Sequence, residues 1–367
     1  MVLVVLAFCS AVFYLLCEVR LWIGIKRLGR CSSTRLYPVS IIIAMKNEME
    51  NARTCLEAVM NQNYPQSLLE IIIVDDGSTD ETPRILAEYK KKCSFLKILK
   101  NESTPENWSQ KKFAMSRGIA QSTGEILLFT DADCVPSSGW VRAIVACFEP
   151  AVGLVAGFSP LFDATNSLFG KIMLLDSLAS SIVAAGSIGL GRAITCTGRN
   201  LAYRREVYDQ VDGFEKIRER VSGDDDLFLQ LVYKMTTWKI AFATTSESVV
   251  PCYQTKNLTA LVTQKRRHLS AGKYYLFAVQ VMYFLFHVSN LFLIAFFVCS
   301  IIFEQNVVIA IVLLFLKFLS DYILLAMGSR TFHTKGIMRY LPLWEIFFWG
   351  SNVLIGPASW IGKIKWK

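Results

Sequence analysis

A chain of 367 residues has room for one large domain and something smaller, and with 53% hydrophobic residues and a mean hydropathy of +0.38 it is too apolar for a purely soluble protein. The net charge of +9 sits close to long apolar runs, with no aromatic and basic interleaving, which points to anionic lipid headgroups and excludes nucleic acid as the natural partner. Ten cysteines without a C-x-x-C pair, and three histidines, give no zinc-ligand pattern, so the cysteines are expected as reduced thiols.

Residues 1–17 form a charge-free apolar run at the short end of the ~17–25 residues that span a bilayer, extended by residues 19–25 if Glu18 and Arg20 lie near the interface. A secretory signal peptide is the rival reading, but no basic residue precedes the run and no small-residue cleavage site follows it. Residues 1–25 therefore read as a membrane anchor. Arg20, Lys26, Arg27, Arg30 and Arg35 follow the apolar run 1–17, and the positive-inside rule then places the next segment in the cytoplasm.

The β-branched run 39–45 is broken by Lys46-Asn47-Glu48 before a helix-like stretch at 51–62. Residues 71–74 repeat the pattern, ending in Asp75-Asp76-Gly77-Ser78-Thr79-Asp80 ahead of a helical stretch at 81–92. A helix at 111–120 and a buried strand at 125–130 follow, and the strand delivers Asp131 and Asp133. Alternating strands and helices predict a parallel sheet, whose ligands bind at the carboxyl ends of the strands, where these polar residues sit. A helix at 140–147 and a strand at 152–158 come next. The stretch 168–190 carries only Lys171 and Asp176 as charges, and reads either as lying on the membrane surface or as a buried helical pair.

Asp75, Asp76, Ser78 and Asp80 can form a turn with a helix cap, yet a carboxylate at a strand end also suits a pyrimidine N–H or a ribose hydroxyl. Asp131 and Asp133 can hold Mg²⁺ or Mn²⁺ against the phosphates of a ligand. Lys111 or Lys112 can assist electrostatically. Asp224-Asp225-Asp226 opens a helix, where acids favour the dipole, but three adjacent acids exceed what a cap needs, and Asp224 can act as a general base. Gln264, Arg266, Arg267 and His268 precede the last apolar region, and arginine suits either a diphosphate or lipid headgroups.

Segments 277–303 and 307–327 are long enough to span and read as a hairpin joined by Glu304-Gln305-Asn306, with Lys317 and Asp321 four residues apart as an intramembrane ion pair. A third segment, 341–361, carries Pro342, Glu345, Gly356 and Pro357 before Lys363, Lys365 and Lys367. It reads equally as spanning or re-entrant.

In residues 38–273 the sequence resembles the family 2 glycosyltransferases. The resemblance rests on Val39-Ser40-Ile41-Ile42-Ile43 with Asn47-Glu48, on residues 74–80, on Lys111 with Ala114 and Gly118, on Gly124-Glu125 before Asp131-Ala132-Asp133, and on Thr197-Gly198-Arg199-Asn200-Leu201-Ala202-Tyr203-Arg204 with Gly213-Phe214. It implies an α/β GT-A fold, a Rossmann-like mostly parallel sheet, flanked by N-terminal and C-terminal transmembrane helices: anchor 1–25, catalytic domain 36–273 and membrane region 274–367. It also implies an inverting transfer from a nucleotide-diphosphate sugar, UDP-linked by preference, at the cytoplasmic face of a membrane (the plasma or inner membrane if the source is bacterial), to a lipid or lipid-linked acceptor.

By the same resemblance Ala44, Lys46, Glu48, Asp75, Asp76, Lys111 and Asp131 belong to the donor site, Asp131 and Asp133 to the metal, and Asp224 or Asp225 to the base of an E-D-x-D-L-like signature in which Gly223 replaces the Glu. Gln264 and Arg267 resemble a Q-x-x-R-W motif with His268 in place of Trp. A processive polysaccharide synthase and a non-catalytic membrane scaffold are the alternatives.

Overall fold

The computed structural model describes residues 1–163, 165–253 and 258–359. Helix α1 (Val2–Lys26) leads into β1 (Val39–Met45), α2 (Ala52–Met60), β2 (Leu69–Asp75), α3 (Thr82–Lys92), β3 (Leu96–Lys100), α4 (Gln110–Ala120) and β4 (Ile126–Phe129). Then come α5 (Trp140–Val145), β5 (Val152–Gly157), the short β6 (Leu161–Phe162), α6 (Leu168–Gly189), β7 (Leu201–Arg204), α7 (Arg205–Gln210), α8 (Asp226–Met235), β8 (Lys239–Ala243) and β9 (Cys252–Tyr253). Helices α9 (Leu258–Ala271), α10 (Phe277–Ile302), α11 (Val307–Thr331) and α12 (Leu341–Ala358) are the last elements among the described residues.

Seven strands form one sheet in the order β3-β2-β1-β4-β7-β5-β8, with β7 antiparallel to both neighbours and all other pairs parallel. Successive side chains point to opposite faces of a strand, so the Ile runs of β1 and β2 supply both faces. Ile41, Ile43, Ile71, Ile73 and Leu128 pack with α2, α3 and α5, while Ile42, Ile72, Val74, Leu127 and Phe129 pack with α4, α6 and α8. Gly118 lets α4 lie close on the second face: a Cβ there would stand 2.7 Å from Ile42 Cγ2 and 3.2 Å from Val74 Cγ2. The register Met45↔Asp75 and Ile42↔Phe129 brings the residues after β1, β2 and β4 to one edge.

Among the described residues, α1, α6, α10 and α11 are long and apolar enough to cross a membrane. At ~1.5 Å per residue the 25 residues of α1 exceed a ~30 Å hydrocarbon core. The stretch 168–190 is one 22-residue helix rather than a helical pair. Helix α1 packs directly on it. A Cβ on Gly24 would stand 1.9 Å from Gly186 O, and one on Gly189 would stand 1.9 Å from Gly24 O.

Lys317 pairs with Asp321 at 2.8 Å as its spacing predicts, and it also pairs with Glu345 of α12, while Tyr14 OH of α1 donates to Asp321 Oδ1 at 2.7 Å. Glu18 departs from its expected interfacial place: it is buried within electrostatic reach of this cluster. The end of the predicted segment 341–361, with Lys363, Lys365 and Lys367, lies outside the described residues.

The expectation that every cysteine is a free thiol is corrected. Cys31, in the link after α1, and Cys147, just after α5, form a disulfide. Their separation of 116 residues leaves no local signal of the pairing, which the packing of the link against α5 creates.

Candidate active site

The loops after β1 and β2 are laced together. Asp75 Oδ1 accepts from the Ser78 amide at 3.0 Å, Asn47 Oδ1 from the Thr79 amide at 2.8 Å, and Asp80 from the amides of Met49 and Thr82 at 3.1 and 2.9 Å. Asn47 and Gly77 hold left-handed backbones, φ 54° and 71°, which Asn and Gly tolerate best. Thus Asp75, Ser78 and Asp80 shape the turn, as a cap-and-turn reading expects. Asp76 is different. Its Oδ1 accepts from Asn101 Nδ2 at 2.6 Å, while its Oδ2 is buried with no hydrogen-bond partner among the described residues. A buried carboxylate oxygen left unpaired is costly, and it fits an N–H or hydroxyl of a ligand.

On the same edge, Lys46 Nζ donates to Gln110 Oε1 at 3.3 Å, and Glu48 is buried, with Oε2 accepting from Asn51 at 2.9 Å. Ala44 lines a small pocket with Lys111, Thr130, Asp131 and Gly198. A larger depression opens elsewhere, lined by Pro38, Gly124, Glu125 and Arg205, away from these acids.

Lys111, one residue into α4, places its ammonium 3.0 Å from Asp131 Oδ1 and 2.9 Å from Asp224 Oδ2. Burial alone would raise the Asp224 carboxyl, but the ammonium groups of Lys111 and Lys112 overcome it and hold Asp224 at about 2. Burial would likewise lower Lys111, and Asp131 and Asp224 outweigh it, driving the amine above its ordinary value. Asp131 keeps 33% of its side chain open to the cleft. Asp133 is pushed upward by burial and by the carboxylates of Asp131 and Glu48. Its Oδ1 accepts from the Cys252 thiol at 3.2 Å.

The three consecutive acids divide their work. Asp225 caps α8: Oδ1 accepts from the Asp226 amide at 2.7 Å and Oδ2 from the Gly198 amide at 2.9 Å. Asp226 accepts from the Leu227 amide at 2.7 Å and from Tyr275 OH, and burial with the neighbouring Asp225 raises it well above the usual carboxylate range. Asp224 meets Lys111 at the cleft. Lys112 is buried, donates to the carbonyls of Arg220 and Ser222, and so braces the loop that carries these acids.

Helix α9 carries the later polar group. His268 is exposed and lies within electrostatic reach of Lys111, Asp224, Arg199 and Arg267. The desolvating cleft walls and then the neighbouring cations lower its imidazole, an effect that the exposure of the ring tempers. Gln264 is half-buried on the same helix. Arg266 is turned toward α12, with Nε donating to Ala358 O at 3.2 Å, and the intervening Lys265 pairs with Asp176 of α6 at 2.7 Å.

Sequence reading gave no role to Arg199 or Asn101. Arg199 lies within electrostatic reach of Asp133 and Asp131 and donates Nη2 to Ser159 O at 3.2 Å. Its signal was a basic residue inside the Thr197-Gly198-Arg199-Asn200 motif. Asn101, which fixes Asp76, follows a strand that carried no clear pattern.

The sequence model described as glycosyl transferase family 2 matches residues 40–212. The chain is 38% identical over 120 residues to glycosyltransferase AglE of Haloferax volcanii, covering 32% of this chain and 38% of that protein. It is 28% identical over 194 residues to beta-monoglucosyldiacylglycerol synthase of a Nostoc species, covering 53% and 41%. The chain thus spans about two fifths of the length of these curated relatives. A solved mannosyltransferase from Pyrobaculum calidifontis, in complex with GDP-Man and Mn²⁺, superposes with a TM-score of 0.62 over 96% of this chain and 99% of its own, at 16% identity, a likeness of fold. Over residues 40–212 the chain is thus similar to family 2 glycosyltransferases, and its fold is GT-A.

Proposed function

We propose that the protein is a membrane-bound, metal-dependent, inverting glycosyltransferase that moves a sugar from a nucleotide-diphosphate sugar to a lipid or lipid-linked acceptor at the cytoplasmic face. The observation that carries this reading is the meeting of Lys111, Asp131 and Asp224 at the strand edge that also carries Asp76 and Asp133.

Asp76 would read the nucleoside through its unpaired Oδ2. Asp131 and Asp133 offer hard carboxylate oxygens on one turn, and the open side of Asp131 faces the cleft, so the pair fits Mg²⁺ or Mn²⁺. The ion, when bound, would offset charge on the departing diphosphate. Asp224 would take the acceptor hydroxyl proton as that oxygen bonds to the anomeric carbon and the bond to the nucleoside diphosphate breaks. Asp225 is the weaker candidate for base, because both its oxygens serve α8 and Gly198. Lys111 would hold Asp224 ionised and lend its charge to the diphosphate.

The lipid acceptor is supported by the position of α9, tied to candidate span α6 through Lys265 and Asp176 and to α12 through Arg266. The cytoplasmic face is supported by Lys26, Arg27 and Arg30 at and after the end of α1 and by Arg330, Lys335 and Arg339 at and after the end of α11.

Calorimetry in detergent tests the donor half. Nucleoside diphosphate is expected to bind with Mn²⁺ and weakly without it. Asp76→Ala should weaken it about tenfold, the worth of one lost hydrogen bond to a charged group, and Asp131→Ala/Asp133→Ala should remove the metal dependence. Equal binding with and without Mn²⁺ in the wild type would contradict the metal assignment.

A further inference from the structure

Cys134 and Cys252 face each other across an isolated antiparallel bridge. The Tyr253 amide donates to Asp133 O and the Val135 amide donates to Pro251 O, at 2.9 and 2.8 Å. Flanked by these bonds, the cysteines occupy a non-hydrogen-bonded position, where Cα atoms approach to about 4.5 Å and side chains on one face are closest. Both cysteines are buried. Their sulfurs converge on a single oxygen: Asp133 Oδ1 lies 3.2 Å from Cys252 Sγ and 3.6 Å from Cys134 Sγ. All three ligand atoms lie within 4.8 Å of one another.

A buried cysteine used only as a small apolar filler needs no carboxylate beside it. Here two come from segments 118 residues apart, 252 − 134, and share one. Two sulfurs and one carboxylate form a donor set for a borderline-soft ion, whereas Mg²⁺ and Mn²⁺ prefer oxygen alone. Zinc bonds to sulfur and carboxylate, about 2.3 and 2.1 Å long in a tetrahedral site, set these donor atoms about 3.6–3.8 Å apart. Small side-chain rotations reach that spacing. Three protein ligands leave a fourth position open to water or a phosphate oxygen.

We propose that Asp133, Cys134 and Cys252 form a binding site for Zn²⁺, which competes with the hard divalent ion for Asp133. Binding replaces two thiol protons with one ion, the protons passing to solvent. The competition rests on the reading of Asp131 and Asp133 as the donor-metal pair, while capture of the ion by the thiols does not. Zinc would then oppose donor binding by taking the aspartate that the diphosphate-bound ion requires.

The test is titration of the purified, reduced full chain in detergent with Co²⁺, whose thiolate complexes absorb in the near ultraviolet. The wild type is expected to develop a sulfur-to-cobalt band that Zn²⁺ displaces. The band should disappear in Cys134→Ser/Cys252→Ser and persist in Cys9→Ser/Cys299→Ser, which removes two exposed cysteines. Asp133→Asn, which keeps both sulfurs, should shift the titration to higher Co²⁺, and this second variant decides the matter if the double serine variant fails to fold. Mn²⁺ with nucleoside diphosphate should shift the wild-type titration in the same direction. Absence of a sulfur band in the wild type, or its survival in the double serine variant, overturns the site. A cobalt band without Mn²⁺-dependent nucleotide binding would keep the site and sink the donor-metal reading; nucleotide binding without a band would do the reverse.

Discussion

Lys111 Nζ lies 2.9 Å from Asp224 Oδ2, so the residue proposed as the base is held ionised by a neighbouring cation. Removing that cation leaves Asp224 to its burial, which raises its pKa. Lys111→Met is therefore expected to move the acidic limb of the pH–rate profile upward and to reduce turnover by about 10²-fold, the scale of a lost electrostatic donor.

The same pair sets a pH dependence of stability. The folded pKa of Asp224, about 2, is below its ordinary 3.8, so the contribution is present above 3.8 and is lost as pH falls through about 2. Thermal unfolding of wild type and Asp224→Asn between pH 6 and 2 should show the difference shrinking only in that acid window.

Asp225 and Asp224 should separate cleanly by mutation. Asp225→Asn keeps a capping oxygen and is expected to fold with much of its activity, whereas Asp225→Ala should cost about 1–2 kcal/mol of stability through the lost cap. Asp224→Asn should lower kcat by about 10²–10⁴-fold with little effect on nucleotide binding. Thermal unfolding, steady-state kinetics and calorimetry on the three variants check this division.

Helix α1 is docked, not merely tethered, because Gly24, Gly186 and Gly189 let two backbones touch. Any side chain at Gly186 would displace α1 or strain α6. Gly186→Leu is expected to destabilise the protein by about 1–3 kcal/mol or more, lowering Tm in detergent, while Gly29→Ala, with open space around it, should leave Tm unchanged.

The Cys31 and Cys147 pair reports on topology. Structural disulfides are rare in a reducing cytoplasm, so the bridge stands against the proposed cytoplasmic face, and alkylation of intact, acid-quenched cells that finds both residues as thiols would uphold that face. Protection of both residues in quenched cells would place that face on the oxidising side.

The parallel half of the sheet was legible because β1, β2 and β4 are apolar runs closed by polar and charged residues, a pattern set by burial on both faces. Strand β3 was not, since Leu96-Lys97-Ile98-Leu99-Lys100 lies at the sheet edge and mixes charge with apolar residues. Strand β7 was hidden inside a motif read for its chemistry, and its antiparallel direction depends on a long excursion through α6. At the candidate site, sequence located the acids but could not divide them. A cap and a base use the same side chain, and only the partners of Asp225, the Asp226 and Gly198 amides, distinguish them from Lys111 beside Asp224. The Arg199 position and the Cys31–Cys147 pairing arise from contacts between distant segments, which local pattern does not encode.

The most direct measurement is transfer of radiolabel from a panel of UDP- and GDP-sugars into an organic-extractable fraction by the detergent-solubilised protein and its Asp224→Asn variant, with and without Mn²⁺. Metal-dependent label in the lipid phase, absent in the variant, is the expected result. Label confined to high-mass aqueous polymer would contradict the lipid acceptor in favour of a synthase, and the absence of both turnover and nucleotide binding would contradict enzymatic function altogether.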